Sequence, residues 1–253
     1  MKMKRKNLKA ALTLILAITI LMLPFEIFAS GASLGSTATP DEAGEAEPVG
    51  AGSVAEVNGT GYATLGEAVN AWATGSTLKL MSDVTTSSTI TVPTGEHTLD
   101  LNGHGIKMTG SGGVIKIPSD ADLTLNDSGA DETTHYYYID SSTNLAVLAS
   151  TQAAAQSGNS NKNGSFTGGY ISGGNNPSYD DQGGGGILVL GKLTMNNGTV
   201  IGSYVAGAGG GINVCSGGNA SITGANIIGN KSAMSAAWIF PITPIRLPRW
   251  RNV

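Results

Sequence analysis

Two near-copies of one short unit decide the fold: GGGILVLGKLTMNNGTVIGS at residues 184–203 and GGGINVCSGGNASITGANIIGN at residues 209–230. Ile187 and Ile212 hold the same place in the two copies. Each copy contains strand-sized apolar runs separated by glycine and asparagine. One copy alone has no partner for its backbone edges or its apolar side. The repeat therefore predicts that successive copies lie on one another.

Upstream of the repeat, apolar residues alternate with polar ones, which is typical of strands with one buried face. The alternating apolar pairs are Leu78 and Leu80, Leu99 and Leu101, Ile115 and Ile117, Leu123 and Leu125, and Leu193 and Met195. Glycine accounts for 37 of the 253 residues, without a collagen period, which indicates many tight turns between short strands. We therefore expect an all-β chain.

A short helix is predicted just before the first strand of this pattern. Thr64 and Glu67 have the spacing of a capping box, and Leu65, Ala68 and Trp72 then fall on one helical face. Such a helix can cover the open end of the first layer of strands. We expect it to act as an N-terminal cap.

The N-terminus has the pattern of a secretory signal peptide over residues 1–29, with a basic start and an apolar run from Ala10 to Leu23. An uncleaved anchor is the alternative. Residues 30–53 are expected to form a flexible acidic leader. Removing residues 1–29 leaves 9 basic and 17 acidic side chains, a charge that disfavours nucleic acid as a partner. The chain is expected to be secreted, with attachment to the cell surface left open.

Several segments resemble bacterial cell-surface proteins with a right-handed parallel β-helix, the pectin-lyase-like architecture. The segments are YATLGEAVNAW, TITVPTGEHTLDLNGHGI, GGVIKIPSDADLTLNDSG and the GGGI units. The resemblance covers about residues 55–234 and implies a single solenoid over residues 54–234. It implies that Asn102 lies at a turn between strands, where asparagine tolerates a left-handed backbone.

The resemblance to enzymes of this family implies which residue types would be catalytic in this chain. Its lyases use arginine or lysine, and this chain has no arginine between Arg5 and Arg246. Its glycosidases use paired carboxylates and a histidine, for which Asp180, Asp181 and His104 are candidates. Their order is reversed, and the long stretch of chain between His104 and Asp180 predicts that several layers separate them.

Acidic residues around one strand are the candidates for a metal site: Asp120, Asp122 and Asp127. The glycine-aspartate loops of known calcium-binding repeats are absent from the sequence, so a solvated edge is the favoured interpretation. Cys215 is the only cysteine, which excludes an intrachain disulfide. No cofactor is expected.

Residues 131–165 interrupt the pattern and are predicted to leave the stack as a loop. Tyr136, Tyr137 and Tyr138 on this insertion are the candidate ligand-binding residues, because tyrosine rings stack on sugars and on protein partners. Packing of the insertion against its own layer is the commoner outcome for such segments and is the favoured interpretation.

The C-terminal stretch, residues 235–253, differs from the body. It contains three prolines and three arginines, and proline cannot donate to a ladder. A shift of reading frame near Met234 explains this composition, and a genuine apolar cap is the alternative. The nucleotide sequence distinguishes the two. After a frameshift the chain is truncated, and its open edge is expected to self-associate.

Together these patterns favour a secreted or surface-attached structural stalk or adhesin-like binding module with no catalysis of its own. Its expected partners are a glycan or a host or cell-surface protein. The alternative is a polysaccharide-active enzyme, a glycosidase or lyase of the same fold, whose active-site layers are incomplete.

Overall fold

The structure, a computed structural model, describes residues 52–177 and 183–234. These residues are mostly β and include only two short helices. The expectation of an all-β chain is confirmed.

The elements follow one another along the chain in three groups. The first group is β1 (Ala55–Val57), β2 (Thr60–Tyr62), α1 (Leu65–Asn70), β3 (Thr77–Leu80), β4 (Val84–Thr86), β5 (Ile90–Thr91), β6 (Gly95–Asp100), β7 (Gly105–Met108), β8 (Ile115–Ile117) and β9 (Ala121–Asn126). An inserted group follows, with β10 (Thr134–Ile139), β11 (Ala146–Ala149), α2 (Gln152–Gly158) and β12 (Asn163–Thr167). The last group is β13 (Tyr170–Ser172), β14 (Asn175–Asn176), β15 (Ile187–Val189), β16 (Lys192–Met195), β17 (Thr199–Ile201), β18 (Tyr204–Val205), β19 (Ile212–Val214), β20 (Asn219–Ile222), β21 (Asn226–Ile228) and β22 (Lys231–Ser232).

These strands form five sheets. Sheet A has the order β2-β1-β3-β6-β9-β16-β20, sheet B the order β21-β17-β13-β7-β4, and sheet C the order β19-β15-β8-β5. Sheet D is β14-β18-β22, and sheet E is β11-β10-β12. Strand β1 pairs antiparallel with β2 and β3. From β3 onward the pairs in sheets A to D are parallel, whereas sheet E is antiparallel.

Consecutive strands visit the sheets in a fixed order. Strands β3, β4 and β5 lie in sheets A, B and C, and β6, β7 and β8 repeat the series. From β13 onward a strand of sheet D comes between sheets B and C. We call one such circuit, which begins in sheet A, a passage. In each sheet, the strand of one passage therefore lies directly beside the equivalent strand of the preceding passage.

The alignment expected from the repeat is confirmed residue by residue. Ile187 is the parallel partner of Ile212, and Met195 is the partner of Ile222. The second copy is slightly longer than the first between these two pairs, and the pairing nevertheless stays in register. The extra residues therefore lie in the turn between β19 and β20.

Inward positions are apolar and buried, as the alternation predicts. Leu99, Leu125 and Met195 follow one another across sheet A and are at most 3% exposed. Burial of each such side chain contributes roughly 1.5–3 kcal/mol relative to exposure. At the far end of the same column, within the described residues, Ile222 is 44% exposed.

The predicted N-terminal helix is confirmed together with its capping box. The Glu67 backbone N–H donates to Thr64 Oγ1 over 3.2 Å, and the Thr64 N–H donates to Glu67 Oε2 over 3.0 Å. Leu65 and Ala68 are buried in the main core. Trp72 lies two residues beyond the helix and is also buried in that core.

Residues 131–165 lie outside sheets A to D, as expected, but the prediction that they form a loop is wrong. The segment folds as sheet E with helix α2, because THYYYI and AVLA are strand-forming runs and Thr151 caps the helix by accepting from the Ala154 N–H over 3.1 Å. Phe166 and Ala146 of this insertion pack with Tyr170 of sheet B in a second buried apolar cluster. The insertion therefore covers part of the outer face of sheet B.

We predict that Leu123→Ala lowers the free energy of unfolding by about 2–5 kcal/mol, because Leu123 is 1% exposed between His97 and Leu193. The matched control is Thr124→Ala on the outer face of the same strand, with an expected loss of less than about 1 kcal/mol. Urea unfolding of both variants measures the difference. Equal losses would contradict the assignment of inward and outward positions.

Candidate functional site

The outer face of sheet A carries polar side chains in straight columns. Thr98, Thr124 and Thr194 are parallel partners in three neighbouring strands. Thr77 and Ser221 extend the column on either side. Within the described ranges the hydroxyls of Thr98, Thr124 and Thr194 have no hydrogen-bond partner. They are therefore available to a ligand.

A second column lies beside the threonines. Glu96 pairs with Asp122, and Asp122 pairs with Lys192. Lys192 Nζ lies 3.5 Å from Asp122 Oδ2, with both side chains about half exposed. Such a surface ion pair adds little to stability. Members of both columns line an open groove with a volume of about 280 Å³: Thr98 and Thr124 from the first, and Glu96, Asp122 and Lys192 from the second.

Asp127, one of the three candidate metal ligands, has a structural position instead. Its side chain is buried, and its two carboxyl oxygens accept from the N–H groups of Gly103 over 2.7 Å and Gly169 over 2.6 Å. These glycines precede β7 and β13, two neighbouring strands of sheet B. Asp127 therefore ties together turns from three places in the chain.

The other two candidate metal ligands lie apart from it. Asp120 is exposed and accepts from the Thr94 hydroxyl over 2.8 Å, and Asp122 lies in the groove. In residues 52–177 and 183–234, no group of three His, Cys, Asp or Glu side chains is arranged to hold a metal ion. The expectation of a solvated acidic edge is wrong for Asp127, because the glycine turns beside it need a buried acceptor.

The predicted turn at Asn102 is confirmed. Its φ is 49°, in the left-handed region. Asn102 Nδ2 donates to the Leu80 carbonyl of the preceding passage over 2.9 Å, and its backbone N–H donates to Asp100 Oδ1 over 3.0 Å. The backbone N–H of Ser128, in the following passage, donates to the same oxygen of Asp100 over 2.8 Å. Hydrogen bonds from polar side chains at the turn between β6 and β7 therefore connect successive passages.

The three candidate tyrosines lie in β10 and are all partly buried. Tyr137 packs toward sheet B beside Phe166, with ring centroids 6.4 Å apart. Tyr138 lies on the opposite face against Gly158, where an added Cβ would collide with the ring. Tyr136 lies between Ala149 and Ser165 of the flanking strands. The structure thus divides them between the two faces of sheet E.

A cluster of aromatic rings fixes the insertion to sheet B. Tyr170 lies over Gly105, where no Cβ could fit, and the His135 ring meets it edge-on at 4.9 Å between centroids. Burial, and secondarily the charge of Asp83, raises the pKa of Tyr170 to about 12. The phenol is therefore neutral over the physiological range.

Asp180 and Asp181, the candidate catalytic carboxylates, lie outside the described residues. The expected separation of several layers between His104 and this part of the chain is wrong for the flanking strands. Tyr170 to Ser172 lie directly beside Gly105 to Lys107 in sheet B. The long interval in sequence arises from the insertion, which adds residues without adding a passage.

Sequence reasoning missed the groove, although the sequence contains a signal for it. The segments EHTL, DLTL and KLTM, starting at Glu96, Asp122 and Lys192, share a charged residue, an inward residue, a threonine and an apolar residue. Aligning them places the charges in one column and the threonines in the next.

Comparison with known proteins identifies no relative: no family model, no curated protein and no solved structure matches this chain. In the part of the chain that the structure describes, neither helix is long and apolar enough to cross a membrane.

We predict that Asp127→Ala lowers the free energy of unfolding by about 2–4 kcal/mol, because it leaves the buried N–H groups of Gly103 and Gly169 without acceptors. The control, Asp122→Ala, removes only a surface ion pair and is expected to cost less than about 1 kcal/mol. Thermal or urea unfolding measures both. A loss at Asp127 no larger than that at Asp122 would contradict the structural assignment.

Proposed function

We propose that residues 54–234 form a right-handed parallel β-helix of the pectin-lyase-like type, secreted and displayed as an adhesin-like binding module. The proposal is supported by the return of each passage to sheet A beside the strand before it, in parallel. Connections between parallel strands of one sheet are right-handed in nearly all proteins. The signal-peptide pattern supports display outside the cytoplasm.

The ligand proposed for this module is a glycan chain. The observation that carries the proposal is the column of unpaired hydroxyls at Thr98, Thr124 and Thr194, spaced by the strand separation of about 4.8 Å. Thr98 and Thr124 of this column line the groove. A linear polysaccharide also presents hydroxyl groups at regular intervals. Repeated weak hydrogen bonds along such a polymer add up to useful affinity.

The net charge on the outer face of sheet A indicates which class of glycan can bind there. Its outward charged side chains are Glu56, Glu96, Asp100 and Asp122 against Lys79 and Lys192. Since acids exceed bases, a polymer of uronic acids is repelled. Neutral and amino-sugar polymers fit the face better.

We predict that immobilised xylan or chitosan retains the full chain more strongly than immobilised pectate. The triple variant Thr98→Val, Thr124→Val, Thr194→Val keeps the branched shape and removes the hydroxyls, so its retention should fall by at least about tenfold. Thr85→Val, an exposed threonine of β4, serves as the matched control. Unchanged retention of the triple variant, or retention of the native chain on none of the three polymers, would contradict the proposal.

A polysaccharide-active enzyme is the rival function, and one observation favours it: Glu96 and Asp122 lie directly opposite each other in the groove. Paired carboxylates are the usual catalytic groups of glycosidases. The same polymers test it through the release of reducing or unsaturated sugars. Turnover that is lost on Glu96→Gln, or on changing Asp180 or Asp181, would favour the enzyme over the binding module.

A further inference from the structure

A small open cavity lies at one end of sheet E, away from the groove of sheet A. It has a volume of about 240 Å³. It lies between the turn that joins β10 to β11 and the segment that joins α2 to β12. Its lining residues are Ile139, Ser141, Asn144, Asn159, Asn161 and Lys162.

Asn159 fixes the wall formed by the segment between α2 and β12. Its Nδ2 donates to the Ile139 carbonyl over 2.8 Å, and its Oδ1 accepts from the N–H groups of Asn161 and Lys162, each over 3.1 Å. The Ile139 N–H donates to the Lys162 carbonyl over 2.7 Å. The backbone that carries Asn161 and Lys162 is therefore held in place before any ligand arrives.

Asp140 fixes the opposite wall. Its Oδ1 accepts from the hydroxyl and N–H of Ser142 over 2.6 and 3.0 Å, and from the N–H and hydroxyl of Thr143 over 2.7 and 2.9 Å. These hydrogen bonds, of which the Ser142 hydroxyl's is the largest influence, lower the pKa of Asp140 to about 2. Asn144 follows with a φ of 58° and donates its N–H to the Asp140 carbonyl over 2.8 Å.

Four of the side chains that line the cavity have polar groups available to bind a ligand. The hydroxyl of Ser141, the amides of Asn144 and Asn161, and the ammonium of Lys162 form no hydrogen bond within residues 52–177 and 183–234. Together they offer donors, acceptors and one positive charge in a cavity that Ile139 also lines. This combination fits a sugar ring, which has hydroxyls at its edge and C–H groups on its face.

The local charge departs from the acidic character of the rest of the molecule. Lys162 lines the cavity, and Lys231 Nζ donates to the Thr143 carbonyl over 2.8 Å at the back of the turn. Asp140, the acid of the same turn, accepts four hydrogen bonds on one oxygen and is ionised. Because the two lysines outnumber this one acid, the local charge is positive and favours an anionic group.

We propose that this cavity binds a single sugar unit that carries a carboxylate. Lys162 pairs with the carboxylate, while the amides of Asn144 and Asn161 bond the ring hydroxyls. The volume is below the range of about 300–1,000 Å³ for sites that enclose a drug-sized ligand, so it suits one sugar unit. The inference rests on the proposed glycan-binding function and adds a second contact of opposite charge preference.

The test compares methyl glucuronide with methyl glucoside, two probes that differ mainly in the carboxylate. We predict that titration of the full chain, followed by NMR of its backbone amides, shifts the signals of Asn144, Asn161 and Lys162 and gives roughly tenfold tighter binding of the glucuronide. Lys162→Gln is expected to remove this preference, and Asn161→Ala to weaken both glycosides. The matched control, Lys116→Gln at an exposed position of β8, should leave both affinities unchanged.

The possible results separate this inference from the proposed function. Equal binding of the two glycosides, or a preference for glucuronide that survives Lys162→Gln, overturns the acidic-sugar site. Absence of glucuronide binding while xylan or chitosan still retains the chain overturns the inference and leaves the proposed function in place. Loss of polymer retention alone contradicts the proposed function and leaves this cavity supported.

Discussion

In-register parallel pairing of successive passages is the constraint on which the rest of the structure depends. A passage buries its aliphatic side chains only when the next passage covers them, as Leu125 is covered between Leu99 and Met195. Because strand side chains alternate with period two, a slip of one residue would turn every inward leucine outward. The register is thus specified by the burial that it produces.

The same register determines which side chains are neighbours on the outer face of sheet A. Once the leucines are aligned inside, the residues between them are aligned outside, and the threonines of EHTL, DLTL and KLTM become one column. Buried polar groups strengthen the alignment at the corners, where Asp127 binds glycine N–H groups of two neighbouring turns. The binding face proposed for glycans is a consequence of the packing inside.

Short sequence motifs predicted correctly those structural features that are determined by residues close together in the sequence or by the repeat. The capping box at Thr64, the left-handed turn at Asn102 and the pairing of Ile187 with Ile212 are all confirmed. The β-structure of the insertion was missed although THYYYI and AVLA are strand-forming runs, because the segment lacks the glycine-punctuated pattern of the neighbouring strands. Burial of Asp127 was missed because its partner Gly169 lies 42 residues away.

Cross-linking of cysteines tests the in-register pairing most directly. In a Cys215→Ser background, Thr124→Cys with Thr194→Cys places two thiols on parallel partners that are distant in sequence and adjacent in sheet A. Thr124→Cys with Asn196→Cys shifts the pair by two positions on the same face. Parallel pairing in this register predicts that mild oxidation links 124 to 194 fastest and within one molecule. A faster link between 124 and 196, or no intramolecular link at all, would contradict the account.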